Sequence, residues 1–259
     1  MNVVLRRPER YLVFGEIHGT AEAPAMFAEI ACLAASQGPI AVGVEWPVDR
    51  KQALDAFMAS DGGRAAHKAL IESKPPGGLE DGRNSVAYYA MIERLRAMRA
   101  KGADLNVAAF IAVNVQSDPS GSQSPYDKGM ADTLVAGAGK AKRVLALVGN
   151  IHSRRDEVPG GARSPSFLPM AADLPAQETL SFNAHYLEGS AWNCQARAGA
   201  SGAAATNGDI ECGDHPIMAS ADPGEVGVRV LEERRNHHDG TWMIGRPTGS
   251  PPDSAQIRP

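Results

Sequence analysis

The sequence predicts an α/β domain with a largely parallel central sheet, helices on both faces and an antiparallel C-terminal addition. Three observations carry that expectation. An apolar run, residues 11–14 (YLVF), breaks off in GEIHGT, a helical pattern follows over 22–37, and a second apolar run, 40–46 (IAVGVEW), comes after Gly38-Pro39. Strand, helix and strand within ~35 residues make a βαβ unit, so the two strands run parallel and end on one edge of the sheet. Two further apolar runs, 106–113 (NVAAFIAV) and 143–148 (RVLALV), continue the alternation with helical segments. Finally, 178–188 (ETLSFNAHYLE) alternates like a strand with one solvent face, and 226–231 and 241–244 read as added strands.

The connecting elements follow in order. Met26, Phe27, Ile30 and Leu33 recur with helical period in the first helix. Cys32 lies among them and reads as a core thiol. Pro47 and Asp49 start a helical stretch over about 48–60, with another over 62–73; the Pro- and Gly-rich 74–83 is a loop. Asn84 or Ser85 can cap the next helix, which runs to Lys101 with Ala87, Met91, Leu95 and Met98 inward. Residues 116–124 form a polar loop, 126–138 a helix and 167–174 a short helix, while 198–209 is a low-complexity Gly/Ala loop. The division is a core with the cleft over 1–190, a hairpin-like addition to the same domain over 191–246, and a disordered tail over 247–259.

Composition narrows the function. Of 259 residues, 26 are basic and 30 acidic, a net charge of −4, which leaves no basic footprint for nucleic acid. No apolar run approaches the ~18–20 residues of a membrane span. The expected partner is a small-molecule substrate, with oligomeric state left open. The start, MNVVLRRPER, is too short and too charged for a signal peptide, so the chain as written reads as cytoplasmic. A removed leader together with a Cys194–Cys212 disulfide would instead make it periplasmic or secreted; spacing alone leaves bridged and free thiols both open.

Four ionisable residues fall at the ends of three predicted parallel strands: Glu16 and His18 after the first, Glu45 at the end of the second, and His152 in GNIH after the fourth. Ligands bind at that edge of open α/β sheets. Burying two carboxylates and two imidazoles together costs several kcal/mol unless they pair or bind something. An imidazole oriented by a carboxylate can take a proton from water. The expected reaction is hydrolysis of an ester or lactone, with His18 activating water and Glu16, Glu45 and His152 assisting. Arg83, Asn150 and Trp46 are the expected substrate contacts. Glu16, His18, Glu45 and His152 can alternatively hold a divalent metal such as manganese, cobalt or zinc. No GxSxG elbow is present, which disfavours a serine nucleophile. Tyr126 and Asp127, opening a helix, are not taken into the site. His67, His185, His215, His237 and His238 read as surface or core histidines.

At GEIHGT (15–20), VGVEW (42–46) and GNIH (149–152) the sequence resembles a superfamily that joins the erythromycin esterases, the ChaN-like haem-binding proteins and the TraB/Tiki membrane-protease relatives. The resemblance spans roughly residues 10–185. The GE-x-H spacing is that of the ChaN-like group, whereas the following GT and the helix AMFAEIACLA are nearer the esterases. On the esterase side the resemblance implies that His18 is a general base opening a lactone, with Glu45 and His152 in support; the hydrolase reading itself requires no cofactor. On the Tiki side it implies a metal at the same positions, and on the ChaN-like side haem iron. The WNC and ECG segments near the C-terminus match none of these patterns.

Overall fold

The computed structural model describes residues 2–74, 81–113, 115, 118–161, 164–196 and 210–253. The loops at 74–83 and 116–124 and the Gly/Ala loop 198–209 therefore lie wholly or partly outside the described residues. A short helix α1 (Asn2–Leu5) precedes β1 (Tyr11–Glu16), α2 (Glu22–Ala35) and β2 (Ile40–Pro47). Helices α3 (Lys51–Met58), α4 (Arg64–Glu72) and α5 (Val86–Ala100) lead to β3 (Leu105–Ile111), and α6 (Ser124–Gly137) to β4 (Arg143–Gly149). After α7 (Met170–Asp173) come β5 (Thr179–His185), β6 (Gly189–Ala196), β7 (Ile210–Ile217), β8 (Gly227–Arg235) and β9 (His238–Met243).

Seven strands form one sheet in the order β3-β2-β4-β1-β5-β9-β8, and β6 and β7 pair in a separate antiparallel sheet. Every pairing in the large sheet is parallel except β8 with β9. The strands bury both faces, as their unbroken apolar runs require. Leu12, Phe14, Val42, Val44, Leu145 and Leu147 pack under α2, α3, α4 and α5 on one side. Tyr11, Val13, Ala41, Val144, Ala146 and Val148 pack under α6 and α7 on the other. The α/β class, the helices on both faces and the antiparallel C-terminal strands are as expected.

Three local expectations are corrected. Strand β5 lies inside the sheet between β1 and β9, its polar face buried at Thr179 and Ser181 and half-exposed only at Asn183 and His185, and Phe182 stacks on Phe14 with ring centroids 5.0 Å apart. Cys32 is exposed, because α5 covers the stripe of Phe27, Ile30, Ala31 and Ala34 and Cys32 projects away from it. The short helix is confined to α7, since Pro169 precedes its first turn.

The stretch read as a disordered tail begins as an ordered strap over 247–253; the remainder lies outside the described residues. Ser190 N donates to the Pro247 carbonyl at 3.0 Å, Ala21 N to Thr248 O at 2.9 Å, and Ser250 N to Gly19 O at 2.8 Å. The strap also caps α5. Val86 N donates to Pro251 O, Ala87 N to Ser250 Oγ at 3.0 Å, and Tyr88 N to the expected cap Ser85 Oγ at 3.2 Å. The first turn of a helix leaves these donors without intrahelical partners. Ser250→Ala is therefore expected to cost about 1–2 kcal/mol, read as a lower urea midpoint; an unchanged midpoint would show that the strap does not cap α5.

Candidate functional site

Strand order places the site. The chain leaves β1 for α2 on one face and leaves its neighbour β4 for α7 on the other, which opens a crevice at their C-terminal ends. Register brings Glu16 opposite Gly149, while β2 flanks β4 on its other side with Val44 opposite Leu147. Glu16, next to Glu45's strand but one, therefore meets Glu45 across the end of β4. His18 reaches into the gap between them. Its Nδ1 lies 3.0 Å from Glu16 Oε1 and its Nε2 3.5 Å from Glu45 Oε2. His152 comes from the turn after β4, and a Cβ built on Gly149 would stand 3.1 Å from His18 Nε2 and 3.6 Å from His152 Cδ2. The glycine of GNIH is thus the gap through which the two imidazoles approach each other.

Each acid has a distinct environment. Glu45 is buried; its Oε2 accepts from Gly149 N at 2.7 Å and its Oε1 from Arg83 Nη1 at 2.8 Å. Arg83 is held in turn by Asp81, with Nη2 donating to Oδ2 at 2.6 Å. Asp127 is fully buried; its Oδ1 lies 2.6 Å from His152 Nδ1 and accepts from Met170 N at 2.8 Å. His152 Nε2 has no partner among the described residues. Glu16 Oε2 and Asp127 Oδ2 are sealed from solvent without a partner among them.

Trp46 does not reach the cleft. It is buried beneath the Arg83 loop, where its indole N–H donates to the Arg83 carbonyl at 2.7 Å and the Arg50 guanidinium stacks 3.7 Å from its ring centroid. Arg50 also donates to Asn84 Oδ1, Leu70 O and Tyr89 Oη, so this core fixes the loop that carries Arg83. Asn150 sits on the rim, its backbone N–H donating to Glu16 O at 2.9 Å. The cleft, of about 450 Å³, is lined by Glu16, His18, Glu45, Arg83, Tyr126 and His152 among others. Asn193 and Cys194 reach it from the β6–β7 hairpin, which a Cys194–Cys212 disulfide closes. The hairpin seats against the GT of GEIHGT. Trp192 N donates to Gly19 O at 2.9 Å, and Gly19, at φ +84°, leaves no room for a Cβ against the Trp192 carbonyl.

Sequence reading set aside Asp127 and did not single out Asp81 or Asn193. An acid in a helix's first turn ordinarily complements the helix dipole, so nothing local marks Asp127 as the partner of a histidine 25 residues on.

The charges are strongly coupled. Burial opposes a charge on His18, but Glu45 and Glu16 outweigh it and push the imidazole up to about 10. Burial likewise opposes charge on Glu45, yet His18 and Arg83 bring its carboxyl down to about 2. Burial raises Glu16. His18 is thus an imidazolium at neutral pH, lying between two acids. Among the described residues no three His, Cys, Asp or Glu side chains form a metal-holding group. Both ring nitrogens of His18 face carboxylates and Arg83 already supplies a cation to Glu45, so these residues do not fit a divalent metal. The cleft lining combines the charged Glu16, Glu45, Asp81 and Arg83 with Ile17, Tyr126 and Ile151.

The linkage has a definite sign. Stabilisation by ionised Glu45 is complete above its ordinary 4.5 and is lost as pH falls toward about 2. That from charged His18 is complete below 6.5 and is lost as pH rises toward about 10. Glu45→Gln should therefore be less stable than wild type at neutral pH, and the difference should shrink as pH drops below 4.5. Urea denaturation between pH 7 and 3 checks this; a constant difference would contradict it.

No family model and no curated protein sequence matches the chain. Solved structures do. An erythromycin esterase, a mutant of EreC in its open conformation, aligns over 96% of this chain and 91% of that one, with a TM-score of 0.61 and 9% identity. A Bacillus cereus protein aligns over 96% and 91%, with a TM-score of 0.58 and 10% identity. A succinoglycan biosynthesis protein aligns over 84% and 73%, with a TM-score of 0.58 and 9% identity. At these identities the likeness is one of fold. Among the described residues no helix is long and apolar enough to cross a membrane.

Proposed function

We propose that this protein is a hydrolase that uses water to cleave an ester or lactone bond in a small molecule. One observation carries the reading: two imidazole–carboxylate pairs, His18 with Glu16 and Glu45 and His152 with Asp127, converge over Gly149 in one cleft. The fold shared with an erythromycin esterase supports it.

This reading divides the roles differently from the sequence expectation. A proton acceptor needs an open lone pair, and His18 turns both nitrogens to acids. His152, with Nδ1 on buried Asp127, keeps Nε2 open. In this reading His152 Nε2 takes a proton from water as the water oxygen attacks the carbonyl carbon. The carbonyl oxygen gains the negative charge, and the His18 imidazolium and Arg83 stabilise it. Collapse of the tetrahedral intermediate breaks the bond to the alkoxy oxygen, which takes the proton back from His152. A lactone gives a hydroxy acid, and an ester gives an acid and an alcohol. Glu16 and Glu45 hold His18 in its charged form. No step passes through a metal or haem.

A panel of esters and lactones tests the activity. His152→Ala and Asp127→Asn are each expected to lower kcat/KM by about 100-fold or more. The pH profile separates the two histidines. With His18 as the charged stabiliser, kcat/KM should hold through pH 9 and fall as His18 loses its proton near 10. With His18 as the base, the rate would instead climb steadily toward that value. An inactive wild type that binds haemin stoichiometrically would overturn the hydrolase reading.

A further inference from the structure

The turn that delivers His152 to the cleft sends Arg154 to the other side. There it meets a second hollow, of about 330 Å³, lined by Asn150, Ile151, Arg154, Asn183, Asn236 and His237 with His238 behind. Asn150 and Ile151 line the catalytic cleft as well, so the two spaces share one two-residue ridge. We propose that this hollow is an anion seat, in which Arg154 receives a carboxylate or similar oxyanion carried by the substrate whose ester lies across the ridge. The proposal rests on the hydrolase reading and adds the class of substrate.

Arg154 is half-buried, and its Nε is sealed from solvent with no acceptor among the described residues. The backbone N–H of Arg154 donates to Ile151 O at 3.4 Å, and among the described residues no acceptor takes the remaining guanidinium N–H groups. A guanidinium N–H sealed without an acceptor is costly, and a bound water or anion is one of the few ways a native structure accounts for it. The neighbouring acids are already engaged. Asp156 holds Arg234 at 2.9 Å and His237 at 3.3 Å. Asp239 holds Arg234 at 3.2 Å and Arg155 at 3.7 Å, and accepts from Ser181 N at 3.0 Å. Arg155 adds the Thr179 and Ala176 carbonyls. Arg154 alone in this group lacks a counterpart among the described residues.

The rim is built with some strain. The turn from β8 to β9 holds both Asn236 and His237 at positive φ, +49° and +67°. Two-residue hairpin turns of that hand favour glycine at the second position. A histidine held there costs backbone energy and puts an imidazole on the edge of the hollow. The floor is rigid, because buried His238 shares Ser153 Oγ at 2.9 Å and Ser153 donates to the Asn150 carbonyl at 2.8 Å. A larger hollow beside it, of about 530 Å³, carries Asp222 and Glu225 as well as Arg229 and Arg235. Its mixed charge makes it the poorer anion seat. Arg154 presents a planar fork suited to donating two parallel hydrogen bonds to one carboxylate.

The test compares a p-nitrophenyl ester bearing a terminal carboxylate, the hemiglutarate, with the neutral butyrate ester. Arg154→Gln should lower the acidic-to-neutral ratio of kcat/KM by about tenfold or more, with KM carrying the change, and Arg154→Lys should recover part of it. A separate calorimetric titration with free glutarate needs no turnover: saturable heat in wild type should be lost in Arg154→Gln and retained in part in Arg154→Lys. If no ester is hydrolysed but glutarate binds through Arg154, the hydrolase reading fails and the anion seat stands. A ratio that does not move with Arg154, or glutarate heats equal in wild type and Arg154→Gln, would overturn the seat.

Discussion

The carboxylate of Glu45 is the constraint on which the site depends. It is buried at the end of β2 and needs donors from elsewhere in the chain. They come from β4 through Gly149 N–H, from the loop before α5 through Arg83, and from the end of β1 through His18. One side chain thus ties three separate segments to a single geometry. The aromatic and guanidinium packing beneath it, Trp46 with Arg50 and the Asn84 amide, sets the height of the Arg83 loop. Removing the acid would leave a buried guanidinium and a buried imidazolium facing each other. That is why the cluster cannot be altered one residue at a time without consequence.

The same fold gives its two histidines different surroundings. His18 lies between acids that favour its charge, and His152 rests on one acid with its second nitrogen open. Two groups of the same kind, assigned different tasks by environment, are a general route to acid–base chemistry at neutral pH. The crevice between β1 and β4 makes this possible, because their connections leave for opposite faces and the ends of both strands stay uncovered. Over it lies the disulfide-closed β6–β7 hairpin, seated on Gly19, and alongside runs the 247–253 strap that also caps α5. Cleft, hairpin and strap share the GEIHGT turn.

Much of this was legible in the sequence, for a physical reason. Strands buried on both faces must be apolar throughout, so a charged residue at the end of such a run marks the sheet edge. Glu16, His18, Glu45 and His152 could be found in that way. Sheet order could not, because nothing in the run RVLALV says that it slots between the first two strands. The interior place of β5 was hidden by its polar residues, among them Ser181, whose backbone N–H donates to Asp239 there. Asp127 looked like an ordinary helix-opening acid, and Trp46 looked available because it follows Glu45 directly, although alternation turns it into the core. The Pro- and Ser-rich composition of the strap suggested disorder, whereas its order comes from long-range backbone hydrogen bonds that composition does not encode.

The central claim is that buried acids hold His18 as a cation while Asp127 leaves His152 an open nitrogen. Nitrogen-15 NMR of the histidine rings reads this directly. The account predicts that both ring nitrogens of His18 carry protons from pH 6 to 9 in wild type, and that Glu45→Gln moves the loss of that proton to lower pH. A neutral His18 ring at pH 7, or one whose titration is unchanged by Glu45→Gln, would contradict it.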